Sequence, residues 1–147
     1  MSIVIATEID IDATPGAVWE VLADFLSYGD WSNFSKVDGE PRLGARLRMR
    51  MPGMSFGSTV TAATPGQKLE WAARIVSASI FEGRHTFVLT PNADGTTHLA
   101  NVETFSGALV WPLQPFFRQG AKPRANGYDG FNQALKRRVE RQREAAY

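Results

Sequence analysis

Residues 2–12 alternate, with Ile3, Ile5, Ile9 and Ile11 on one face and Glu8 and Asp10 on the other. A two-residue period of this kind predicts a half-buried strand. Ala13-Thr14-Pro15 ends it: Thr14 is a good N-cap, and Pro15 suits a first helical position, where its missing N–H costs nothing. Val18, Leu22 and Phe25 then recur at spacings of four and three, which gives a helix with one apolar face that ends near Asp24. Residues 25–34 are aromatic but broken by Gly29 and small polar groups, so they read as a short helical turn plus a loop.

Strand signals fill residues 36–110. After the Gly39-Glu40-Pro41 turn, Leu47, Met49 and Met51 share one face of residues 45–51, and Arg46, Arg48 and Arg50 the other. Pro52-Gly53 turns the chain into a Thr-rich strand, Phe56–Ala63, and Thr64-Pro65-Gly66-Gln67 is a further turn. Leu69, Trp71, Ala73 and Ile75 form one face of residues 68–75, opposite Lys68, Glu70 and Arg74. Strands at 81–90 and 97–106 flank Pro91-Asn92-Ala93-Asp94-Gly95-Thr96, a strong hairpin turn. Trp111 to Phe117 has room for one or two helical turns, and Gly120 and Pro123 predict a break after it. From about Pro123 to Glu144, Tyr128, Phe131, Leu135 and Val139 mark one face of a long helix.

A strand-rich middle closed by one terminal helix is not a βαβ pattern, so a parallel nucleotide-binding sheet is not expected. The order fits an antiparallel sheet curled around one helix, a body that tends to enclose a pocket. At 147 residues, with no repeat or linker, the chain reads as one domain, 1–147.

Composition narrows the function classes. Sixteen basic and 15 acidic side chains nearly cancel, which gives no broad field for nucleic acid or anionic lipid. No reader motif for nucleic acid accompanies the arginine rows. No apolar run is long enough to insert across a membrane, and Met1-Ser2-Ile3 leads into alternation rather than a signal peptide. Zero cysteines exclude a disulfide framework or thiolate site and are compatible with a cytoplasmic setting. Two histidines without H-E-x-x-H spacing predict no metal, and the absence of Walker, Rossmann or G-x-S-x-G patterns predicts no nucleotide cofactor or nucleophilic hydrolysis. Edge strands leave a homodimer open.

Several stretches carry a resemblance: Ala13-Thr14-Pro15 leading to Val18-Trp19-Glu20-Val21-Leu22-Ala23-Asp24-Phe25, and Tyr28 with Trp31-Ser32-Asn33-Phe34. Leu69-Glu70-Trp71, Gly83-Arg84-His85-Thr86-Phe87, Glu103-Thr104-Phe105-Ser106-Gly107 and Gly127-Tyr128-Asp129-Gly130-Phe131-Asn132 follow. In this order the chain resembles the START-like (SRPBCC) superfamily, and within it the polyketide cyclase/dehydrase-like group. The resemblance implies an α+β helix-grip fold: a curved antiparallel sheet of six or seven strands wrapped around the long C-terminal helix, with one or two short helices after the first strand. It also implies an apolar ligand held between sheet and helix.

Parity supplies the candidate site. His85 shares its strand face with Phe81, Phe87 and Leu89, while Asn101 and Glu103 share theirs with Leu99 and Phe105. If Leu89 pairs with Leu99, Phe87 meets Asn101 and His85 meets Glu103, which predicts a His85–Glu103 hydrogen bond in an apolar concavity. Met49, Met51 and Trp71 are candidate walls, and Trp31 and Phe34 a candidate gate. Tyr128, Phe131 and Leu135 would face them from the helix.

The leading expectation is a carrier or sensor of a hydrophobic, aromatic or lipid-like molecule, oriented by His85, Asn101 and Glu103. One alternative is a cyclase/aromatase-type enzyme with His85 and Glu103 as catalytic acid–base pair. Another is an interaction module with no cavity, which a solid interior at Trp71, Phe105 and Phe131 would indicate.

Overall fold

The computed structural model describes residues 2–120, 122 and 127–146. Strand β1 (Ser2–Ile11) leads into helix α1 (Pro15–Leu22), a 3-10 turn (Phe25–Ser27) and the short α2 (Tyr28–Trp31). Strands β2 (Lys36–Asp38), β3 (Arg46–Met51), β4 (Met54–Thr64), β5 (Lys68–Ile75), β6 (Phe81–Pro91) and β7 (Thr97–Ser106) follow, then α3 (Gln114–Gly120) and α4 (Tyr128–Ala145).

The seven strands form one antiparallel sheet in the order β1-β7-β6-β5-β4-β3-β2. β1 and β2 are its opposite edges, so α1 and α2 carry the chain across the sheet's width. Their apolar faces, with that of α4, cover the inner surface. Thr14 caps α1 by accepting from the Ala17 N–H at 3.3 Å, and Pro15 occupies its first turn. A bulge between Val60 and Ala62 interrupts the β4–β5 ladder and bends the sheet. This is the helix-grip architecture.

The core runs from Ile11, Val18 and Leu22 through Leu47, Val60, Leu69, Phe87 and Leu99 to Leu135 and Val139 of α4. A smaller cluster, Ile3, Val110 and Phe117 with Phe81 and Phe105, closes one end. Two expectations need correction. Ile75, expected to face inward with Leu69 and Trp71, is 54% exposed at the end of β5. The long helix begins at Tyr128, and its expected stretch 123–126 lies outside the described residues.

The outer face holds more order than its alternating charges suggested. Arg84 bridges Glu70 at 2.6 Å and Glu82 at 2.9 Å, and Arg74 reaches Glu82 at 2.8 Å. Burial pushes the Glu70 carboxyl up, but hydrogen bonds from Thr86, Thr61 and Arg84 outweigh it and hold the group below its usual range.

Candidate functional site

The β6–β7 register pairs Leu89 with Leu99, Phe87 with Asn101 and His85 with Glu103, as the parity argument required. All three polar side chains therefore point toward α4. His85 and Asn101 are buried, and Glu103 sits at the interface end with its side chain 13% exposed.

The expected His85–Glu103 hydrogen bond is not formed: Nδ1 stands 3.6 Å from the carboxyl Oε2. The ring's other nitrogen, Nε2, lies 2.6 Å from Asn101 Oδ1. Asn101 Nδ2 donates to Asn132 Oδ1 of α4 at 2.8 Å, and Asn132 Nδ2 donates to the Thr7 hydroxyl of β1 at 2.9 Å. Thr7 Oγ1 in turn donates to the Asn101 main-chain carbonyl at 2.8 Å. Thr7 and Asn132 were missed in the sequence. Thr7 does share the inward parity of Ile5 and Ile9, and Asn132 adjoins Phe131 on the buried face of α4.

This chain has one consistent direction. A carbonyl oxygen only accepts, so the Thr7 hydroxyl spends its proton on Asn101 and must accept from an amide NH₂ of Asn132. Asn132 then presents its oxygen to Asn101, and Asn101 presents its own oxygen to His85. The imidazole must carry its proton on Nε2, which leaves the Nδ1 lone pair aimed at Glu103.

The electrostatics agree. Burial pushes the His85 pKa down from an ordinary 6.5 to about 4, against a smaller upward pull from the Asn101 hydrogen bond. Burial pushes Glu103 up from 4.5 to about 8. At neutral pH both groups are uncharged, and the carboxyl holds the proton. Its Oε2 is buried with no hydrogen-bond partner among the described residues.

The chain matches the family described as polyketide cyclase / dehydrase and lipid transport over residues 2–140. It belongs to this family. Protein MLL2253 of Mesorhizobium loti is 26% identical to it, covering 95% of this chain and 98% of that one with a TM-score of 0.74. The Zhui aromatase/cyclase of a Streptomyces species is 19% identical over 99% and 98% of the two chains, with a TM-score of 0.75. A Thalictrum norcoclaurine synthase mutant, in complex with a transition-state analogue, is 12% identical over 97% of each chain, with a TM-score of 0.73. The last two likenesses show a shared fold. No curated protein matches by sequence.

In this family member, rings occupy the middle of the sheet–helix interface. Phe87 lies 5.4 Å from Phe131 and 5.4 Å from Trp71, and His85 stacks on Phe87 at 4.5 Å. Phe131 also meets Trp31 at 5.2 Å and Phe34 at 6.3 Å. The rings around Trp71 and Phe131 thus touch one another, which meets the condition for the cavity-less reading at those two residues; Phe105 stays half-buried and packs with Phe81 and Phe117 instead. Phe34, Met49, Leu99 and Leu135 belong to the packed core, and Trp31 and Met51 border it. The polar atoms instead adjoin Tyr128, whose ring is 5.6 Å from His85, and half-buried Phe105 lies two residues beyond Glu103 on the same strand face.

Among the surface concavities of the described residues are two lined away from His85, Asn101 and Glu103. One, of about 190 Å³, is lined by Asp30, Trp31 and α4 residues including Arg137 and Arg141. The other, of about 950 Å³, is a groove on the outer face with Arg46, Arg48, Arg50 and Arg74 in its walls. Among the described residues no group of three or more His, Cys, Asp or Glu side chains is placed to hold a metal.

Proposed function

We propose that the chain binds a hydrophobic small molecule at the Glu103 end of the sheet–helix interface, and that Glu103 reads an uncharged polar group of that molecule. The observation that carries this reading is the buried carboxyl whose Oε2 lacks a hydrogen-bond partner among the described residues. Burying such a group costs about 1–3 kcal/mol, a cost that a bound carbonyl or hydroxyl offsets. A protonated carboxyl donates to a carbonyl and accepts from a hydroxyl, so one residue serves either ligand. His85 and Asn101 hold their places through the hydrogen-bond chain, and Phe105 and Tyr128 supply apolar contact. The family's description, which includes lipid transport, supports the ligand class.

A matched pair of probes tests the reading. By fluorescence titration, 2-acetylnaphthalene binds the wild type about fivefold more tightly than naphthalene, the value of one hydrogen bond. Glu103→Leu removes the preference and keeps naphthalene binding. A wild type indifferent to the ketone overturns the assignment.

One observation favours a second reading as a cyclase- or dehydrase-type enzyme. Glu103 holds its proton at neutral pH 3.6 Å from a bare imidazole nitrogen, which suits it to protonate a bound ketone. In that case Glu103→Gln loses about 10²-fold or more in turnover of a reactive polyketone.

A further inference from the structure

One end of the molecule carries an apolar surface that the fold leaves uncovered. The loop after β5, residues 76–80, runs beside the segment after β7, residues 107–113. The Ala108 N–H donates to Ser79 O at 2.9 Å and the Leu109 N–H to Ile80 O at 3.0 Å. Gly107, at φ +105°, permits this approach, since a Cβ there would stand 2.6 Å from the Ile80 oxygen.

Alternate side chains anchor the second segment. Val110 and Phe117 are buried with Ile3, and the Phe117 ring stacks on Phe105 at 4.4 Å and Phe81 at 5.7 Å. Anchoring these two turns their neighbours outward. Trp111 is 71% exposed and Phe116 73%, with Leu109 and Leu113 beside them in sequence also exposed. The adjoining loop adds Val76, 92% exposed, and the end of β5 adds Ile75. An apolar patch held out by a pinned backbone calls for an occupant.

Charge indicates which one. No acidic residue lies between Glu103 and Asp129, and none between Arg74 and Glu82. Arg118 and Lys122, just beyond Phe116, are exposed. Exposed aromatic and aliphatic side chains followed along the chain by cations, with no carboxylate in either segment, match the boundary between acyl chains and anionic headgroups. A second copy packed by two-fold symmetry would bring this cationic rim toward itself. The near-zero net charge concealed the feature, because opposite charges are separated along the chain.

We propose that this end docks on an anionic lipid surface, with Trp111, Phe116 and Val76 entering the headgroup boundary and Arg118 and Lys122 facing lipid phosphates. Among the described residues no helix is long and apolar enough to cross a membrane. The inference goes beyond the proposed ligand site and does not depend on it.

Co-sedimentation of the full chain with empty vesicles tests it, using equal parts phosphatidylglycerol and phosphatidylcholine against phosphatidylcholine alone. The wild type pellets with the anionic vesicles, and added salt weakens binding. Trp111→Ser with Phe116→Ser reduces partitioning by about tenfold or more, since two aromatic side chains lose their burial. Both are exposed, and an unchanged melting temperature confirms that the variant folds. Arg118→Glu with Lys122→Glu abolishes the preference for anionic lipid. The proposal is overturned if the wild type ignores anionic vesicles, or if either variant binds them as the wild type does. It is equally overturned if the wild type is a dimer that the aromatic variant converts to monomer, which would make a second copy the occupant.

Discussion

His85 Nε2 lies 2.6 Å from Asn101 Oδ1, and this contact, rather than one to Glu103, sets the state of the ring. Because Asn101 is oriented from behind by Asn132 and Thr7, the imidazole has one allowed neutral tautomer. The site therefore presents a base nitrogen and a protonated carboxyl side by side, both uncharged. Such a pair suits a neutral polar group at the end of an apolar molecule better than it suits an ion.

Nitrogen-15 spectra of the imidazole report the tautomer directly. At neutral pH His85 is expected to show a protonated Nε2 and a bare Nδ1, with no conversion to imidazolium until the pH falls toward about 4. A neutral ring protonated on Nδ1 would contradict the hydrogen-bond direction assigned to the whole chain.

Stability should depend on pH with opposite signs for the two residues. His85 binds its proton less readily folded than unfolded, so its contribution is lost as pH falls from 6.5 toward 4. Glu103 binds its proton more readily folded, so its contribution is lost as pH rises from 4.5 toward 8. Between 4.5 and 6.5 the two slopes cancel, and between 6.5 and 8 only that of Glu103 remains. Melting curves should thus show Glu103→Gln gaining on the wild type across that upper window. Parallel curves for the two proteins would mean that Glu103 is ionised in the fold.

The fold was legible because it rests on local signals. Alternation located β1, β3 and β5 to β7, the Pro52-Gly53 turn and threonine content located β4, Thr14-Pro15 located α1, and Leu89 opposite Leu99 gave the register that sets His85 against Glu103. Register names which residues are opposite, not which atoms touch. His85 turns to Asn101, one pair along β7 on the same face, because only there does a fixed acceptor exist. Thr7 and Asn132 escaped notice because each comes from an element remote in sequence, and their meeting depends on how α4 crosses β1. The ring packing was likewise invisible: parity puts Trp71, Phe87 and Phe131 inward without saying whether their rings touch.

Thr7→Val should test the far end of the chain. The substitution keeps shape but leaves an Asn132 donor and the Asn101 carbonyl without their partner, at a cost of about 1–3 kcal/mol in urea denaturation. It also frees Asn132 to flip, so His85 should lose its single tautomer in the nitrogen-15 spectrum. A stable variant with an unchanged spectrum would show that Asn101 is fixed by other contacts.

Gly107→Ala should damage the apolar end while sparing the polar site. The position sits at φ +105°, where an L side chain is strained, and the added methyl would meet Ile80 O and the Phe81 nitrogen at 2.6 and 2.8 Å. Neither contact is a flexible side-chain tip, so the two segments must separate, breaking the Ala108 and Leu109 hydrogen bonds. A loss of more than about 1 kcal/mol is expected, because the residue's conformation is incompatible with alanine. Amide exchange should rise at Ala108 and Leu109 and stay slow at Asn101. If exchange rises equally at both places, the end cluster and the main core are one cooperative unit, and the docking end cannot be altered independently of the site.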